Sequence, residues 1–166
     1  MGPAANFPTD ITVQGTVTAQ NFATNAAFIT DTNVAALANI NATKLNHQHR
    51  EVYAQATAST AAAARQVVQV TYGATGTIIA YSAGLAGTAN AGGATITVDL
   101  FKNGVSILTA PITISTQAVR VLTAAGIATT STVAGDVFEV VVTVTPGSGT
   151  LGTGLFSSLT INEAPA

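Results

Sequence analysis

The chain has 166 residues, 48% of them hydrophobic but only 5% aromatic and 7% charged, with a formal net charge of −2 at pH 7. That length suits one ordinary domain, or a small domain with an extension. A charged fraction far below the usual quarter excludes a disordered polyelectrolyte, and it argues against a monomer kept apart by its surface charge. Thr, Asn, Gln and Ser have to supply the surface polarity, which suits a subunit whose faces meet other subunits. Lys44, Arg50, Arg65, Lys102 and Arg120 are scattered, so there is no basic stripe and no nucleic-acid partner is expected. Cysteine is absent, which removes a disulfide framework, a thiolate nucleophile and a thiolate zinc site. No apolar run reaches the roughly 18 residues of a spanning helix, so membrane insertion is not expected. The start, Met1 to Asn6, lacks the positive and apolar regions of a signal peptide.

Residues 1–10 are interrupted by proline and carry no periodicity. Ile11-Thr12-Val13-Gln14 alternates, turns at Gly15, and resumes as Thr16-Val17-Thr18-Ala19 before Phe22. Strands this short do not make a stable hairpin alone. Three copies wound about an axis would pair their edges and bury Ile11, Val13, Val17 and Phe22 together. The plainer alternative is an edge hairpin added to the downstream domain. Thr30-Asp31-Thr32-Asn33 offers helix-capping side chains, and Val34, Leu37, Ala38 and Ile40 follow at near-helical spacing. The expected helix has two or three turns, too short to stand alone in water. An oligomeric contact or docking on the β-domain must hold it, and Val34 and Leu37 are expected at such an interface.

Both histidines fall in Leu45-Asn46-His47-Gln48-His49-Arg50-Glu51-Val52-Tyr53, where the composition changes. The expected organisation is an N-terminal attachment and trimerisation stem over 1–44, a histidine-containing junction over 45–53, and a β-sandwich head over 54–166. Adjacent residues on a strand face opposite ways, so Arg50 and Glu51 are expected either to pair across neighbouring strands or subunits or to stay solvated.

Downstream, strands are predicted over 50–58, 66–72 and 77–82, with a glycine-rich loop over 84–93. Thr95 to Lys102 alternates cleanly, with Ile96, Val98 and Leu100 on one face. Asn103-Gly104 demands positive φ and is the strongest hairpin signal in the chain. Residues 105–109 return from it, and Pro111 precedes Ile112-Thr113-Ile114. Weaker candidates lie at 118–122 and 126–130. Val137 to Thr145 is the longest β-branched run, and Leu155 to Glu163 is the last strand. Seven to nine antiparallel strands with glycine-rich turns predict a mainly β, two-sheet sandwich, jelly-roll-like or immunoglobulin-like, behind an extended stem containing a short helix.

The stem segment Ile11 to Phe22, together with Lys102-Asn103-Gly104-Val105 and Ala134-Gly135-Asp136-Val137, resembles trimeric bacteriophage fibre and capsid-decoration proteins. The resemblance is one of style over the whole length. It implies a homotrimeric structural protein of the virion, displayed on the particle surface, with a jelly-roll-like head facing outward and the N-terminal region attached to a capsid or tail protein. Some phage fibres carry His-x-His motifs that bind a metal ion on the threefold axis, and His47-Gln48-His49 matches that motif. Residues two apart on a strand face the same way, and three chains would offer six imidazoles to one transition metal ion, iron or nickel, per trimer. The alternatives are histidines that hydrogen-bond across subunits, or histidines in a polar turn.

An enzyme is not expected. Asp99, Asp136, Glu139 and Glu163 could in principle join a histidine in acid–base chemistry, but nothing in the spacing sets any of them beside His47 or His49. There is no Gly-x-Ser-x-Gly elbow and no glycine-rich phosphate loop between strand and helix. The competing reading is an adhesion module that grips a host surface glycan or protein. Its aromatic candidates are Tyr72, Tyr81, Phe101 and Phe156, with no tryptophan among them.

Overall fold

A computed structural model describes residues 47–73 and 75–164. Within them the chain forms two antiparallel sheets packed face to face, a β-sandwich. The strands are β1 (His47–Ala54), β2 (Ala64–Val70), β3 (Thr75–Leu85), β4 (Thr95–Lys102), β5 (Val105–Ser106), β6 (Ile112–Ile114), β7 (Thr123–Ala124), β8 (Ser131–Val133), β9 (Val137–Thr145) and β10 (Leu155–Glu163). The first sheet runs β1-β10-β3-β7, with β8 on β3; the second runs β2-β9-β4-β5, with β6 on β4.

The alternation that predicted the strands also sets their faces, because successive side chains leave a strand on opposite sides. On β4, Ile96, Val98 and Leu100 are buried while Thr97 and Asp99 look outward; β9 repeats the pattern with Phe138, Val140 and Val142 inside and Glu139 outside. The first sheet answers with Ile78, Tyr81, Ala83 and Leu85 from β3 and Leu155, Leu159 and Ile161 from β10. Burial of this kind contributes about 25 cal/mol per Å² of apolar surface. The strands over 95–102, 112–114, 137–145 and 155–163 match their predicted bounds.

Local chemistry explains the differences. The strand expected over 50–58 begins at His47 and stops at Ala54, where Gln55 turns inward. Its amide nitrogen donates to the Tyr53 hydroxyl (2.7 Å) and to the Ala62 carbonyl (2.8 Å), and its amide oxygen accepts from Ala62 N (2.9 Å). Residues 118–122 form no strand. Arg120 adopts φ 63°, and its N–H donates to the Leu85 carbonyl at 2.6 Å. A candidate at 126–130 gives way to the short β8 that follows it. Asn103 (φ 51°) and Gly104 (φ 82°) make the predicted turn between β4 and β5. Between Thr160 and Ile161 the β3–β10 register shifts, leaving Ile79 as an extra residue on β3, half exposed.

The expected stem over 1–44, its short helix, and the interface candidates Ile11, Val13, Val17, Phe22, Val34 and Leu37 lie outside the described residues.

Candidate interaction surface on the first sheet

Among the described strands, β1 closes one edge of the first sheet, pairing only with β10 over all eight of its residues, from His47↔Glu163 to Ala54↔Phe156. Its alternation puts His47, His49, Glu51 and Tyr53 on the more buried side and Gln48, Arg50, Val52 and Ala54 on the exposed side. The two histidines thus share a face, as their spacing predicts. Their rings stack with centroids 6.1 Å apart and planes 26° apart. His49 Nε2 lies 3.3 Å from Glu163 Oε2, and the same oxygen accepts the Gly73 N–H at 3.2 Å. Glu163 is only 4% exposed, so this contact ties the edge strand to a carboxylate inside the sandwich. Arg50 and Glu51 separate as expected of neighbours: Arg50 Nε donates to Ser158 Oγ on β10 at 3.0 Å, while Glu51 sits half-buried on the histidine side. Among the described residues, no group of three or more His, Asp or Glu side chains is arranged to hold a metal ion within one chain.

Across the sheet from Glu163 the rung continues to Gly76 on β3 and Thr132 on β8. Glycine is required here, because a Cβ on Gly76 would meet the Asn162 carbonyl oxygen at 2.5 Å. Glu163 Oε1 and Thr132 Oγ1 are both buried without a hydrogen-bond partner among the described residues. Around the same rungs, Thr75, Gly76, Thr77, Asn162, Glu163 and Ala164 line a shallow cleft of about 240 Å³.

A second polar cluster joins two turns. Asp136 follows Gly135 (φ 85°) in the turn between β8 and β9. Its Oδ2 accepts from Val133 N (2.9 Å) and Lys102 Nζ (3.2 Å), and its Oδ1 accepts from Asn103 Nδ2 (2.7 Å). Asn103 Oδ1 in turn accepts the Val137 N–H at 2.9 Å. Burial pushes the Asp136 carboxyl up, but the Val133 amide, the Asn103 amide and the Lys102 ammonium together hold it below the usual carboxylate range. Lys102-Asn103-Gly104 and Gly135-Asp136, two separate marks in the sequence, therefore meet in one cluster that locks adjacent turns. Asp99 and Glu139 face outward from the second sheet, and Glu139 forms a surface pair with Arg65 (2.6 Å), whose guanidinium also lies 5.3 Å from the Phe101 ring centre.

Of the four aromatic candidates, Tyr81 is 1% exposed and its hydroxyl is pushed up by burial, so it is a core group. Phe101 and Phe156 are half-buried. Tyr72 is 80% exposed.

Sequence reasoning missed Asn90 and Thr71. Asn90, 6% exposed, donates to the Ile114 carbonyl (2.8 Å) and accepts the Gly152 N–H (2.6 Å). Thr71 bonds through its hydroxyl to the Val133 carbonyl. A lone polar residue in a glycine-rich or strand-terminal stretch carries no periodic signal, so only the fold shows what it holds.

No helix among the described residues is long and apolar enough to cross a membrane. Comparison with protein-family models, with curated proteins and with solved structures found no match for this chain.

Proposed function

We propose that the chain is a non-enzymatic structural subunit of a virion, a homotrimeric head-decoration or short-fibre protein anchored by its N-terminal region to capsid or tail. The observation that carries this reading is the outer face of the first sheet. Following the pairing register, that face is built of Gln48, Arg50, Val52 and Ala54 on β1; Phe156, Ser158, Thr160 and Asn162 on β10; Thr75, Thr77, Ala80, Ser82 and Gly84 on β3; and Ala124, Ser131 and Val133 on β7 and β8. Arg50 is the one charge in that set, whereas an ordinary soluble surface carries charge at about a quarter of its positions. Val52 is 60% and Val133 52% exposed. The face ends in the eight-residue strand β1, an edge that proteins seldom leave uncovered. A nearly uncharged face that ends in a strand paired on one side among the described strands is what a second copy of the chain would cover.

The jelly-roll form of the sandwich belongs to the same proposal. Counting β5 with β6, and β7 with β8, as interrupted single strands turns the observed sheet orders into 1-8-3-6 and 2-7-4-5, the interleaving of a doubled Greek key. The axial metal is an expectation of the resemblance. The shared face of His47 and His49 suits it, but the Nε2 of His49 already faces Glu163, so the ion would have to compete with that carboxylate or take the other ring nitrogen.

Native mass spectrometry of the full chain, with elemental analysis before and after chelation, tests the reading. The expected mass is three times the 16.5 kDa chain. A monomer over the micromolar range would overturn the trimer, and a trimer free of iron and nickel would reduce the histidines to interface or edge-strand groups.

A further inference from the structure

We propose that Asn103 is a covalent modification site, a deamidation-prone carboxamide that the Asp136 cluster holds unreactive until the turn between β4 and β5 opens. The inference goes beyond the structural role above and does not rest on it, since it concerns one turn within one chain.

The sequence supplies the reactive pair. Asparagine deamidates when the next residue's backbone nitrogen attacks the side-chain Cγ, and a glycine leaves that approach unhindered because it has no Cβ. Of the ten asparagines in the chain, Asn103 alone precedes a glycine. Both residues of the pair are exposed, so water reaches them. In the first step the Gly104 nitrogen loses its proton and bonds to Asn103 Cγ, the Cγ–Nδ2 bond breaks, and that nitrogen leaves as ammonia. Water then opens the cyclic imide at either carbonyl. Opening at Cγ leaves aspartate; opening at the backbone carbonyl leaves isoaspartate, with the chain running through the former side chain. Water enters and ammonia departs, a net gain of about 1 Da and one carboxylate.

The fold opposes the first bond at the backbone and at the side chain. Asn103 at φ 51° and Gly104 at φ 82° form a type I′ turn. Its left-handed backbone sets the Gly104 nitrogen across the Cα–C bond from Cβ, where a five-membered ring does not close. The Asn103 N–H fixes that backbone by donating to the Val137 carbonyl at 2.9 Å. The nitrogen that must leave is itself held, Nδ2 donating to Asp136 Oδ1 at 2.7 Å. At the other end of the carboxamide, Oδ1 accepts the Val137 N–H at 2.9 Å, so the group turns only by giving up both bonds. Asp136 is a firm anchor, 4% exposed and fixed by Val133 N and Lys102 Nζ.

The same contacts make the products poor fits. An aspartate at 103 has no N–H to offer Asp136 and sets a second carboxylate against it, with the Lys102 ammonium already engaged at Oδ2. Isoaspartate adds a backbone carbon to a two-residue turn, so the pairs Lys102↔Val105 and Phe101↔Ser106 lose their register. Reaction therefore needs an open turn, and its product resists reclosure. Local opening of this end of the sandwich, where Asp136 joins the β4–β5 turn to the β8–β9 turn, is recorded irreversibly at one residue.

The test is a peptide-mapped mass-spectrometric time course of the full chain in mildly alkaline buffer, run folded and in denaturant. The gain at Asn103 should be about tenfold or more slower in the folded chain, because only the opened turn reacts. Asp136→Ala keeps the Asn–Gly pair but removes the anchor, and where its spectrum stays native it should react roughly threefold or more faster than the folded parent. Asn103→Asp, made directly, should speed amide exchange over 102–106 and 131–137 while leaving 155–163 at the parent's rate. A folded chain that reacts at Asn103 as fast as the denatured chain would overturn the proposal whether or not the variants fold. No gain at Asn103 in denaturant would do the same, as would a natively folded Asp136→Ala variant no faster than the parent, or an Asn103→Asp chain with parental exchange at both turns.

Discussion

At the residue scale, Asp136 shows how one carboxylate fixes two turns. A side chain that is almost fully buried is stable there because a backbone amide, a side-chain amide and an ammonium meet its oxygens. Asp136→Ala takes the carboxylate from the Asn103 amide and the Val133 amide, while Lys102 keeps only the Ser131 carbonyl (3.0 Å), and the expected cost is about 1–3 kcal/mol in denaturant unfolding at pH 7. The pH dependence has a definite sign. Because the folded carboxyl titrates below its unfolded value near 3.9, its contribution is present above about pH 4 and is lost as pH falls through the folded value. Stability measured from pH 6 down to pH 2.5 should therefore decline more steeply in the parent than in Asp136→Asn. Equal slopes would show that the carboxylate is not held as described. The neighbouring Gly104, at φ 82° with open space where a Cβ would stand, isolates backbone strain from crowding. Gly104→Ala should cost about 1 kcal/mol through conformation alone, read by thermal unfolding.

At the element scale, β1 is the strand with most at stake and least support. It pairs on one side among the described strands, and its half-buried histidines and Glu51 give it less apolar anchorage than β4 or β9. The contact of His49 with Glu163 supplies part of the difference. Glu163→Ala should speed amide hydrogen exchange over 47–54 well beyond any change over 137–145, since local opening follows the weakest-held element. A uniform increase across both would mean that Glu163 supports the whole sandwich instead. Leu100, fully buried between the sheets, is the contrasting case. Truncation to Ala there should cost about 2–5 kcal/mol globally, with exchange rising throughout.

At the scale of the whole molecule, the proposed assembly puts its contact on the first sheet's outer face. Placing a carboxylate on its edge strand tests that without touching the core. Val52→Glu, at an exposed position, should leave the monomer's unfolding midpoint within about 0.5 kcal/mol while shifting native mass toward the monomer. Unchanged assembly would move the contact to another face. The Arg65–Glu139 pair on the opposite sheet is solvated and serves as a control, with no effect on assembly expected from Arg65→Ala.

By itself the sequence determined the layers. Alternation with period two in Thr95–Lys102, Val137–Thr145 and Leu155–Glu163 decides which side chains are buried, and Asn103-Gly104 decides where the chain reverses, because both follow from local backbone geometry. It also put His47 and His49 on one face, a consequence of strand pleating alone. The tertiary structure decided what those groups meet. That Glu163 lies opposite His47, and that Lys102 and Asn103 reach Asp136 across thirty-odd positions, both depend on which strands pair and in what register. Pairing is selected by the summed burial of the whole core, a non-local quantity that no single stretch of residues encodes.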